Sequence, residues 1–195
     1  MLVTFDQLWQ LASQEARRTG MTPRAVFQAV GLTLEWPATP WQYYCTPRNA
    51  KTFASTGSDG VHYSLLESPL LRYSPVVMTV PMSFENANIV VAETLHEFLC
   101  LGCRASYLGL EALAACDSDF RVLKQRNYDS TLSLRQVRQL KVLSEVFSLY
   151  PYVNLERRMA QLQAKYLDFL QMGEMELVSL KNAPAPAAFS FGQFA

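Results

Sequence analysis

Charge is scarce in this sequence. Only 17% of its 195 residues are Asp, Glu, Lys or Arg, against roughly 25% in ordinary soluble domains. A surface so poor in charge is adhesive, which favours a partner and leaves self-association open. No charge of one sign remains either, because 17 bases balance 17 acids. That balance argues against general nucleic-acid binding, which draws on a clearly basic domain. Long apolar runs are missing too: none reaches the ~20 residues that span a bilayer, so no membrane association is expected. Residues 1–20 mix acids and amides with apolar residues and lack the basic-then-apolar order of a secretory leader. The expectation is a cytoplasmic chain whose four cysteines are thiols.

The signatures of catalysis are also sparse. Histidine occurs only as His62 and His96, and G-x-S-x-G is absent. A triad from Ser58, Asp59 and His62 therefore has no nucleophile elbow to carry it. Gly57-x-x-Gly60 precedes a strand rather than a helix and no Lys-Ser/Thr pair follows, so it fails as a phosphate loop. The two glycines serve a turn that needs positive φ. Cys100-x-x-Cys103, with His96 and Cys116, offers four potential zinc ligands. Structural zinc ligands come as spaced pairs in loops or knuckles, whereas Cys100 lies within an apolar helix. Buried thiols are expected there, with no metal, no cofactor and no catalytic residue. His96 falls on the polar side of its helix near Glu93 and is expected in solvent, and His62 is read as an outward or hydrogen-bonded strand histidine.

What the chain does have is apolar material, 50% hydrophobic and 12% aromatic, enough for one large core. Its charge is segregated: residues 61–120 hold seven acids and two bases, and residues 121–170 hold nine bases and four acids. These segments either face one another or are simply solvated, or residues 121–170 form a basic helical surface for an acidic partner.

The periodicity predicts a helix over residues 4–18 stopped by Gly20, then a short one over 23–30 with Thr22 as cap and Pro23 in the first turn. Residues 32–52 hold Pro37, Pro40 and Pro47 among Trp36, Trp41, Tyr43 and Tyr44. Those prolines predict an ordered loop pinned by aromatics. Residues 61–67 and 75–82 read as strands, and 89–101 as a helix capped by Asn86 or Asn88. Residues 106–116 read as helical. Ser133 with Gln136 is a capping-box signature, opening a helix whose stripe is Leu134, Val137, Leu140, Val146, Phe147 and Tyr150. Asn154 restarts a helix that closes near Gly173. The prediction is one α+β domain over residues 1–175. It has a small, mostly antiparallel central sheet flanked by helices and a helical hairpin over about 130–173. Residues 176–195 form an extended or flexible tail.

Three elements in order resemble the SMI1/KNR4-like (SUKH) superfamily over about residues 53–101. They are the turn and strand Phe53-Ala-Ser-Thr-Gly57-Ser-Asp-Gly60-Val-His-Tyr-Ser-Leu-Leu, the strand Pro75-Val-Val-Met, and the helix Val91-Ala-Glu-Thr-Leu-His-Glu-Phe-Leu99. The hairpin after residue 130 looks like an addition. The resemblance implies a central sheet flanked by helices. It also implies a non-catalytic binding role: an immunity protein that neutralises a toxin domain, or a regulator. The expected partner surface is Trp36, Trp41 and Tyr43 with the turn residues Thr56, Asp59 and His62, since aromatics anchor interfaces. The alternative is a small-molecule binder or hydrolase in which Thr56, Asp59 and His62 converge in a pocket.

Overall fold

A computed structural model describes residues 2–40, 43–83, 86–114, 132–151 and 154–173. Helix α1 (Phe5–Thr19) starts at Thr4, which forms a full capping box with Gln7, and ends at Gly20 in the left-handed region. It buries Phe5, Leu8, Leu11, Ala12 and Ala16. Five strands follow: β1 (Thr33–Thr39), β2 (Ala50–Ser55), β3 (His62–Leu66), β4 (Val76–Thr79) and β5 (Asn88–Ala92). They form one antiparallel sheet in chain order, with β1 and β5 at its edges. Helix α2 (Leu95–Gly102) comes next, then a 3-10 turn (Leu110–Ala114), then α3 (Leu134–Phe147) and α4 (Leu155–Tyr166). The architecture is α+β, as the sequence predicts.

Four expectations change. Residues 33–39 are strand, not loop. Pro37 is tolerated because β1 is an edge strand, where a missing N–H costs no ladder bond, and the β1–β2 register is irregular between Leu34 and Thr39. Residues 88–92 are strand, not the start of a helix: Asn88, Ile89, Val90 and Ala92 pair with β4, and the true cap is Thr94, whose Oγ1 accepts from the Glu97 N–H at 3.1 Å. Residues 23–30 form turns and a three-residue 3-10 segment (Gln28–Val30) rather than an α-helix, folded back by the Leu34 N–H to Arg24 carbonyl bond. Residues 110–114 are likewise 3-10, and Cys116 lies outside the described residues.

The hairpin keeps its starts but not its stripe. Ser133 and Gln136 form the capping box, yet α3 buries Leu140, Leu143 and Phe147 and leaves Leu134, Val137, Val146 and nearby Tyr150 exposed. Helix α4 docks on β5. The Gln163 amide bonds both the N–H and the carbonyl of Val90, at 3.0 and 2.7 Å, and so closes part of an open sheet edge. Arg158 bonds Glu97 at 2.7 Å and Glu93 at 2.9 Å, and Lys165 bonds Glu93 at 2.7 Å. The acidic and basic segments thus face one another at this seam. The tail beyond Gly173 lies outside the described residues.

Side chains alternate across the sheet. One face packs α1 and α2 in a column of rings, from Trp9 and Trp36 through Phe5 and Phe53 to Phe98, Tyr63 and Tyr107. At its base Gly102 lies so close to Tyr107 that a Cβ there would stand 2.3 Å from the ring. The Tyr107 hydroxyl donates to the Leu99 carbonyl, and that of Tyr63 to the Tyr107 carbonyl, each at 2.8 Å.

Candidate functional site

The β2–β3 turn is built by its own residues. The Thr56 N–H donates to the Val61 carbonyl at 3.0 Å, and the Thr56 hydroxyl donates to the Ser58 carbonyl at 3.1 Å. Gly57, Asp59 and Gly60 all have positive φ, a conformation glycine and aspartate tolerate better than branched residues. Gly60 is also fixed by contact: a Cβ there would meet the Tyr43 ring and hydroxyl at 3.1 Å.

Opposite the helical face, the register aligns a polar row, Thr33, Ser55, His62, Thr79 and Asn88, one from each strand, of which Ser55, His62 and Thr79 are buried. Beside it, Thr52 and Ser64 bond to each other at 2.9 Å. The Thr79 hydroxyl donates to Asn88 Oδ1 at 2.8 Å, and the Asn88 amide donates to the Cys45 carbonyl at 2.7 Å. His62 is fully buried. Its Nδ1 meets the Gly60 carbonyl at 2.7 Å, which can only accept, so Nδ1 carries the proton and Nε2 accepts from the Thr46 hydroxyl at 3.0 Å. Burial pushes the His62 pKa down, only partly opposed by the Gly60 bond, so the ring is neutral.

This row holds the segment 43–49 over the sheet. Asn49 ties the same segment to the stretch after α4, with its amide on the Phe169 carbonyl and its Oδ1 on the Gln171 N–H, both at 3.0 Å. Tyr43 lies flat on His62, ring centroids 5.4 Å apart at 28°. The Tyr44 hydroxyl donates to the Pro81 carbonyl at 2.6 Å. Tyr43 is 42% and Tyr44 56% exposed. Two tyrosines are therefore pinned and presented beside the exposed tip Gly57–Asp59.

The structure divides the residues expected to form the surface. Tyr43, Thr56, Asp59 and His62 belong to this turn and its cover. Thr56 and His62 are buried and act as supports, and Asp59 is exposed. Trp36 is 46% exposed but stacks on Trp9 at 5.6 Å, in the column on the helical face. Trp41 lies outside the described residues. Sequence reasoning missed Tyr44, Thr46, Thr52, Ser55, Ser64, Thr79 and Asn88. Alternation in β3 placed His62 and Ser64 on one face, but the rest of the row needs the strand register.

The second histidine differs from expectation. His96 is buried, not solvated, because the end of α3 packs over it and its Nε2 bonds the Phe147 carbonyl at 3.1 Å. Cys100 Sγ lies 3.8 Å from His96 Nδ1. Burial raises the pKa of Cys45, Cys100 and Cys103, which are free thiols. Among the described residues no group of three or more His, Cys, Asp or Glu side chains is placed to hold a metal. No described helix is long and apolar enough to cross a membrane. Compared with known family models, characterised proteins and solved structures, the chain matches none.

Proposed function

We propose that this chain is a non-catalytic protein-binding module of the SMI1/KNR4-like kind, an immunity or regulatory protein. It would engage a protein partner, of which a toxin domain is the first candidate, through Tyr43, Tyr44 and the 57–60 turn. The observation that carries this reading is the display of the two tyrosines. Tyr43 lies on buried His62, Tyr44 is hydrogen-bonded to the Pro81 carbonyl, and each ring is still about half exposed. Aromatic rings ordered before binding lose little conformational freedom on association, which is what an interface anchor requires. The neutral, doubly bonded His62 supports a structural role for the one histidine near the turn. Trp36 and Trp41 are further candidates for the same partner.

The partner is to be identified by co-purification from the native host, after which affinity and melting temperature are measured together for Tyr43→Ala, Trp36→Ala and Trp41→Ala. Truncating a true anchor costs about 2 kcal/mol, roughly 30-fold in affinity. Unchanged affinity with a large loss of stability for Tyr43→Ala would leave these rings as packing and end the proposal.

A further inference from the structure

A cleft lies apart from the turn just described. The end of α1, the turn leading into β1 and α3 enclose about 340 Å³, the small end of the range for ligand sites, roughly 300–1,000 Å³. Val26 and Phe27, both buried, form its floor, with Met21 and Val142 as further apolar wall. Gln139 stands in the wall and is only 9% exposed. Its Nε2 donates to the Val26 carbonyl, but its Oε1 is closed to water and has no hydrogen-bond partner. At the rim Arg138 is exposed and makes no ion pair or hydrogen bond with the described residues. The carboxylate across the cleft, Glu15, is already taken by Arg18 at 2.6 Å. The walls are tied to each other: the Gln136 amide bonds the Ala29 carbonyl at 3.0 Å, as that of Gln139 bonds Val26.

We propose that this cleft binds a small apolar carboxylic acid that carries a hydrogen-bond donor, of the N-acyl amino acid type. Each part of the ligand answers one feature of the cleft. The guanidinium of Arg138 pairs with the carboxylate, a match of planar fork to planar acceptor. A phenyl-sized body covers Met21 and Val142. The amide N–H pairs with Gln139 Oε1, reached by a small turn about the broad terminal torsion of glutamine. A buried amide oxygen without a partner is costly, so a ligand that supplies the donor is favoured over one of equal shape that does not.

The test is calorimetric titration of the full chain with N-acetylphenylalanine, with backbone amide shifts to locate the site. Saturable binding is expected, with shifts confined to the end of α1, residues 21–27 and the first half of α3. Arg138→Gln, replacement of the ligand carboxylate by an amide, and methylation of the ligand N–H should each weaken binding about tenfold or more. Arg138→Gln should leave the melting temperature unchanged, and Val142→Trp should fill the cleft and abolish binding. The proposal is overturned by no saturable binding up to millimolar ligand, by shifts that map elsewhere, or by an affinity indifferent to Arg138→Gln. An affinity indifferent to N-methylation would remove Gln139 from the site and overturn the ligand class.

Discussion

Glu93 joins the C-terminal hairpin to the sheet, and its charge sets a measurable share of the stability. Burial by itself would raise its pKa. Hydrogen bonds from Lys165, Tyr166 and Arg158 outweigh that and hold the carboxyl at about 2, against an ordinary 4.5. A difference of about 2.5 units corresponds to at most ~3 kcal/mol of folding free energy. The side chain is 22% exposed, so solvent screens part of this and roughly 1–3 kcal/mol is expected. The sign follows from the unfolded chain, which binds the proton more tightly than the folded one. The contribution is complete above about pH 4.5 and is lost as pH falls toward 2. Glu93→Gln removes the charge and keeps the shape. Arg158 is not orphaned, since Glu97 still holds it at 2.7 Å, and exposed Lys165 returns to water. Urea unfolding of the wild type and Glu93→Gln from pH 7 down to about 2 should show a gap of roughly 1–3 kcal/mol at neutral pH that closes by pH 2. A gap that stays constant with pH would mean that shape, not charge, is what Glu93 contributes. No gap at pH 7 would refute the reasoning outright.

Three further outcomes are expected. Gly102→Ala drives a methyl to 2.3 Å from the buried, hydrogen-bonded Tyr107 ring, and thermal melts should show a loss near 3 kcal/mol, a drop of roughly 6–12 °C. Burial lowers the His62 pKa from 6.5, so the unfolded chain takes that proton first. Stability therefore falls as pH drops below about 6.5, and His62→Asn should remove that slope from denaturation curves. Gln163→Ala strips the side-chain partners from the Val90 N–H and carbonyl on edge strand β5. It should cost about 1–2 kcal/mol and raise self-association in sedimentation measurements.

The sequence by itself determined the elements whose signals are local. A capping box spans four residues, so Ser133 with Gln136 started its helix where expected. The alternation of His62, Tyr63, Ser64 and Leu65 named a strand, and the Ser-Asp-Gly run named its turn. The antiparallel α+β class followed from the order of these pieces. Tertiary structure alone decided the rest, because the deciding partners are far away in the chain. Val91 suits both a helical and a strand period, and pairing with β4 made residues 88–92 a strand. Pro37 excludes a central strand but not an edge strand, and only the sheet order puts β1 at the edge. His96 is buried by a carbonyl 51 residues away, and the polar row under Tyr43 exists only once five strands are in register. Caps and alternation act through neighbouring backbone groups and can be read from a short window. Edge position, burial and a row across a sheet depend on contacts between distant segments, which no window contains.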